Sequence, residues 1–422
     1  MKRDKLSSVI LWSVISAAFI GPGTVTTAAS AGALFQLQLL WSVVFATVAC
    51  IVLQEVSARI TISTGLTLGQ TIEAKFGSGN GFWIKWLVGG SVILGCAAYE
   101  AGNILGGTAG LLLLFDIDGR IYTVLLSLFA FIILWTGRGK WISTLMTILV
   151  ALMGIAFLLL AIQTDFSFSK IISSSFIPAI PDGAELLTLG LVGTTIVPYN
   201  LFLGSGISKG QTIPLMRIGL TISVLIGGMI TAWILMAGTL STNFTSFSDL
   251  ANQFQLKIGY IGVWALGIGL FAAGFSSAIT APYAASIITT SVFGVEKKQT
   301  VRLVWTCVLV VGFIFGISGV KPIPVILTVQ ALNGLILPLL TFFLILISND
   351  KKLIPREGRH AQWYNVILIL ILACVLVLGL SNVDKVFVQV LKLNSTHFEI
   401  VLITSTAFSV FTGWEILRTD NK

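Results

Sequence analysis

Apolar runs of about 20 residues recur from one end of this chain to the other, and each is long enough to cross roughly 30 Å of hydrocarbon as a helix. Nothing constrains the fold more. With 10% charged residues and 56% apolar ones across 422 positions, no soluble globular domain is compatible with the sequence. Outer-membrane barrels are excluded as well, because their strands alternate in polarity, whereas runs such as Val366 to Leu380 do not. The chain reads as an all-α membrane protein, 1–422 a single multi-pass domain with no soluble appendage. Cys50, Cys96, Cys307 and Cys374 stand singly inside apolar runs, so neither a disulfide framework nor a cysteine metal site is expected.

Polar breaks divide the chain into twelve expected spans, near 8–33, 38–60, 86–115, 121–136, 141–163, 184–208, 217–240, 258–292, 302–319, 323–348, 364–381 and 398–416. Alternating the loops between two sides tests this division. With the N-terminus inside, only Arg120, Lys170, Lys257, Lys321, Lys385 and Lys392 fall outside, and the other 19 of the 25 basic residues lie on the cytoplasmic side. The net charge of +8 is thereby explained by topology in a cytoplasmic (inner) cell membrane, without a nucleic acid partner. A basic start, an apolar stretch and the small-residue run Ala28-Ala29-Ser30-Ala31 also fit a secretory leader. Removing that segment would break the charge alternation, so it is read as the first span.

Two spans carry proline at mid-depth. The first contains Gly21-Pro22-Gly23-Thr24 and the sixth Val197-Pro198-Tyr199-Asn200. Proline removes a backbone donor and clashes with the preceding turn, so both helices are expected to be discontinuous. Five spans separate the two breaks, an odd number, so the second unit starts from the opposite side. The expectation is an inverted five-plus-five repeat, one unit over about 8–163 and the other over about 184–348, followed by extra helices over about 364–416. Unwound backbone inside a membrane persists where it is buried in protein or lines a cavity, which places a substrate site between the breaks.

At these residues the chain resembles the Nramp family of divalent-metal transporters, which share a leucine-transporter-like fold. Gln54-Glu55-Val56-Ser57-Ala58-Arg59 followed by Thr64-Gly65 is similar to the family's second span. Leu270 to Thr280 is similar to its eighth, and Val329-Gln330-Ala331-Leu332 followed by Leu337-Pro338 to its tenth. The resemblance implies a secondary active transporter, a metal-ion symporter and not an enzyme, without a cofactor. At the two breaks the family carries Asp-Pro-Gly-Asn and Met-Pro-His-Asn. Here Gly21 replaces the aspartate, Thr24 the asparagine, Val197 the methionine, Tyr199 the histidine, and Gly204 a further family histidine.

A bare transition metal would take charged oxygen ligands and a soft sulfur, which these residues do not supply. The candidate substrate-binding residues are Gly21, Gly23, Thr24, Thr27, Val197, Tyr199, Asn200, Gln330 and Asn333, which are neutral and by themselves suit an organic solute better; the resemblance over the whole chain points instead to a cation that keeps water, such as Mg²⁺. Two alternatives stay open: a carrier of a small amino or organic acid held at half-helix N-termini, and a non-transporting sensor. Of the acids well inside spans, Glu55 is expected to pair with Arg59 at i,i+4. Glu100 matches by resemblance a third-span glutamate on the family's proton path, making the proton a candidate coupling ion.

Overall fold

The computed structural model describes residues 2–76, 81–137, 139–242, 244–391 and 397–420. Eighty-five per cent of it is helix. In chain order the helices are α1 (Lys2–Phe19), α2 (Pro22–Phe35), α3 (Leu40–Thr64), α4 (Leu68–Phe76), α5 (Gly81–Lys85), α6 (Ser91–Leu112), α7 (Gly119–Thr136), α8 (Gly139–Ala161) and α9 (Phe168–Phe176). They continue with α10 (Glu185–Thr195), α11 (Pro198–Ser208), α12 (Ile213–Gly238), α13 (Phe247–Ile258), α14 (Tyr260–Phe293), α15 (Lys298–Ile317), α16 (Pro322–Ser348), α17 (Gln362–Leu391) and α18 (Phe398–Asp420).

Among the described residues ten helical segments are long and apolar enough to span a bilayer. The expected twelve spans map onto the same helices. The difference arises because Pro22–Thr64 counts as one segment although Gln36 turns the chain between α2 and α3, and because the described apolar part of α16 is the short Ile336–Ser348. At Gln36 the backbone reaches φ 52°, and its N–H bonds the Gly32 carbonyl. Three short helices, α4, α9 and α13, were not expected. They lie in the polar connections, the last two capped by Ser167 and Ser246 accepting from the amides of Lys170 and Asp249.

Both proline motifs break their helices. α1 ends at Phe19 and α2 starts at Pro22, with Gly21 fully extended between them (φ −102°, ψ −178°). α10 ends at Thr195 and α11 starts at Pro198, with Val197 extended at φ −82°, ψ 128°. In each case proline occupies the first helical position, where its missing N–H costs nothing and its fixed φ suits a helix start. The fold is the inverted repeat, with these paired breaks at its centre.

Lipid is as apolar as leucine, so the helices gain little from burial alone and associate through close packing. Small residues make that approach feasible. A Cβ on Gly32 would stand 1.9 Å from the Leu235 carbonyl oxygen and one on Gly238 2.3 Å from that of Ala29, which brings α2 hard against α12. α6 meets α14 as closely, with the Gly274 Cβ position 2.4 Å from the Gly107 Cα. Large apolar side chains such as Leu94, Ile155 and Val410 point outward instead, to the lipid.

Candidate functional site

The broken first span ends in free carbonyls, and hydroxyl groups from three other places converge on them. A helix's last turn leaves its C=O groups without intrahelical donors and carries the negative end of the dipole. Ser276 and Ser277 of α14 donate to the Ala17 carbonyl at 3.2 and 3.4 Å. Tyr199 of α11 donates to that of Ala18 at 2.9 Å, and Thr24 across the break donates to that of Phe19. Both breaks are thus tied together, since Tyr199 is the second residue of the second half-helix.

A second layer comes from α6 and α16. The Tyr99 hydroxyl donates to Gln330 Oε1 at 2.8 Å, and the Tyr99 ring stands edge-on to that of Tyr199 with centroids 5.6 Å apart. The Gln330 amide lies directly on Gly23, whose Cβ, if present, would be 1.6 Å from Nε2. Asn103 donates to Glu100 Oε2 at 3.2 Å, and its Oδ1 lies 3.6 Å from the Cβ position of Gly21. α6 itself sits on Pro22 through Gly106. Gly21, Gly23, Thr24, Tyr199 and Gln330 therefore form one cluster, with Glu100 beside it. Thr27 lies one turn further, its methyl group against Gly190 of α10. The side chain of Asn333 lies outside the described residues.

The described side chains of this cluster are all buried. Several remain unsatisfied. Among the described residues, both polar atoms of the fully buried Asn200 carboxamide lack a hydrogen-bond partner, as do Glu100 Oε1, Thr26 Oγ1, Thr27 Oγ1 and Gln54 Oε1. Each unpaired buried group costs about 1–3 kcal/mol, so such a concentration is a mark of a site where a ligand is expected to complete the bonding. Among the described residues no group of three or more His, Cys, Asp or Glu side chains comes together.

Sequence reasoning selected Tyr199, Gln330 and Glu100 but passed over Tyr99, Asn103, Ser277 and Gln54 as site residues. Tyr99 and Asn103 flank Glu100, and Gln54 and Ser277 sit inside the motif segments already quoted, so the signal was adjacency. Gln54 also explains Gly204: a Cβ there would meet Gln54 Oε1 at 2.2 Å, so the glutamine fills the room a larger residue would need.

A single family model matches most of the chain. The family described as Natural resistance-associated macrophage protein-like covers residues 13–383. The chain belongs to the Nramp family. The divalent metal cation transporter MntH of Caldanaerobacter subterraneus subsp. tengcongensis is 26% identical over 390 residues, spanning 87% of this chain and 90% of that protein. MntH of Yersinia pestis is 24% identical over 369 residues, spanning 84% and 89%. Crystal structures of the manganese transporter of Eremococcus coleocola superpose with a TM-score of 0.78 at 19% identity, covering 98% of this chain and 93% of that one. Mhp1, a nucleobase-cation-symport-1 family transporter, shares the fold more distantly, with a TM-score of 0.59 at 15% identity. This Nramp chain is thus a multi-pass membrane transporter, in a family of transporters and not of enzymes.

Proposed function

We propose that this Nramp protein is a secondary transporter of divalent cations whose altered site takes a cation retaining part of its water, with Mg²⁺ the leading candidate. The observation that carries the reading is the set of neutral oxygens at the breaks: the carbonyls of the last turn of α1 and the unpartnered carboxamide of Asn200. Half-helix C-terminal ends and unwound carbonyls are the groups that hold cations in broken-helix transporters. Mg²⁺ keeps several waters, and those waters would donate to the unpaired acceptors Thr26, Thr27 and Asn200 Oδ1. The relatives, named for divalent cations and manganese, weigh for a cation over an organic acid or a sensor. We place the protein in the cytoplasmic membrane with its N-terminus inside, on the basic-residue asymmetry.

Thermal unfolding of the detergent-purified protein tests the substrate. A saturable rise in melting temperature is expected with Mg²⁺ and a weaker one with Mn²⁺, since ligand at 100 times its Kd stabilises by about 2.7 kcal/mol. Asn200→Leu should remove the rise. In Gly21→Asp/Thr24→Asn the new carboxylate would project toward Ser277 and Asn103, and the preference should swing toward Mn²⁺ by roughly tenfold or more. A rise with an organic acid and with none of the metals would overturn the cation reading.

Proton coupling through Glu100 is the second part of this reading. Glu100 lies beside the breaks with one oxygen bonded by Asn103 and the other unpaired. In proteoliposomes, Glu100→Gln is expected to leave cation-dependent stabilisation in place while flattening the dependence of uptake on an imposed pH gradient. An unchanged pH response would remove Glu100 from the coupling path.

A further inference from the structure

On the basic face of the protein, away from the proline breaks, a cleft of about 400 Å³ opens between the ends of α7 and α14 and the start of α15. Its described charged residues are Lys298, Arg302 and Glu296, and its walls include Trp135 and Trp305. The Arg302 guanidinium stacks 4.1 Å above the Trp135 ring, which fixes its position; Trp305 stands edge-on to the same indole at 6.4 Å. Among the described residues neither Lys298 nor Arg302 comes within 4.0 Å of a carboxylate, that of Glu296 included. Beside the apolar side chains exposed on α15, a cleft with two cations lacking an anionic partner is matched to an anion from the bilayer.

The remaining polar groups narrow the class. Ser286 donates its hydroxyl hydrogen to the Tyr283 carbonyl at 2.6 Å and Thr290 donates to that of Ile287 at 2.9 Å. Toward the cleft both therefore present acceptor lone pairs, and Glu296 adds a third acceptor. A ligand that satisfies all of them pairs one negative charge with hydroxyl donors. Beyond the cleft, Leu303, Val310 and Ile314 form an exposed apolar stripe along α15 on which an acyl chain can lie. We propose that this cleft binds the headgroup of phosphatidylglycerol, its phosphodiester on Arg302 and Lys298 and its glycerol hydroxyls on Ser286, Thr290 and Glu296. Indoles at the interface suit that depth, since their rings prefer the headgroup level. The inference uses the orientation assigned above and is independent of which cation is carried.

Native mass spectrometry and thermal unfolding of the full-length protein test it, with phosphatidylglycerol, phosphatidylcholine and inorganic phosphate as separate probes. Phosphatidylglycerol is expected to be retained and to raise the melting temperature above the phosphatidylcholine value. Arg302→Gln and Lys298→Gln should each weaken it roughly fivefold, and the double variant should bind both lipids alike. An intact Mg²⁺ response, or failing that an unchanged melting temperature without lipid, will show that the variants are folded. Equal binding of the two lipids by the unaltered protein, insensitivity to Arg302→Gln, or a full effect from inorganic phosphate alone would each overturn the proposal.

Discussion

Gly23→Ala is expected to lower substrate uptake by roughly one to three orders of magnitude and to reduce the melting temperature. The added methyl would fall 1.6 Å from Gln330 Nε2 and 2.8 Å from its Cδ, inside any tolerable contact. The glutamine end could swing away only by giving up its bond from Tyr99, which joins α6 to α16 at the site. Overpacking of this kind costs about 1–3 kcal/mol and the lost hydrogen bond about 1 kcal/mol more, which together give the stated range. The paired variant Gly23→Ala/Gln330→Ala separates the two effects. Because the clash is relieved, its melting temperature should recover most of the loss, while uptake should stay low because the amide is gone. A single variant that unfolds within one degree of the unaltered protein would show that the glutamine is not held on Gly23.

The largest loss of stability is expected from Glu55→Ala. Glu55 is 8% exposed and accepts from Arg59 Nε at 3.1 Å and from Arg59 Nη2, from Arg217 Nε at 2.9 Å and from the Tyr364 hydroxyl at 3.2 Å. The Arg59 guanidinium also lies 5.2 Å from the centre of the Tyr364 ring. One carboxylate thus joins α3, α12 and α17. Removing it leaves Arg59, itself 8% exposed, as a buried charge without its partner, at a cost of about 3–5 kcal/mol. Arg217, 53% exposed, is the peripheral member, and Arg217→Ala should cost about 1 kcal/mol or less. Thermal unfolding in detergent separates these cases. Equal effects of the two variants would mean that Arg59 does not depend on Glu55.

Much of this architecture could be read in the sequence because membrane helices announce themselves by length and polarity, and because proline at mid-depth has few explanations. Pro22 and Pro198 gave the breaks, and the i,i+4 spacing gave the Glu55–Arg59 pair. Local pattern could not give the rest of that network, since Arg217 and Tyr364 are 162 and 309 residues from Glu55. The Gln330 position could be named as a candidate from its residue type and the tenth-span resemblance, yet its contacts with Gly23 and Tyr99 depend on how α16 crosses α2 and α6. The helix α13 had a visible start signal in Ser246 and Asp249, three residues apart, which a search for apolar runs passes over. The partners of Asn200 were illegible for a different reason: the described residues supply none.

The missing aspartate at Gly21 also bears on how the membrane potential enters the transport cycle. In a site that carries a fixed carboxylate, a bound divalent ion is partly neutralised and the empty carrier returns with negative charge. Here the breaks themselves bear no ionised side chain, so on the cation reading the empty step carries only the charge of Glu100 and the ion's own charge is displaced wholly on the loaded step. Each elementary charge crossing 100 mV changes that step by about 2.3 kcal/mol, or between 4 and 5 kcal/mol for a divalent ion by the same arithmetic, ~2.3 per charge. An inside-negative potential would then drive entry directly, and the return of the empty carrier would feel voltage only through Glu100, once its proton has been released.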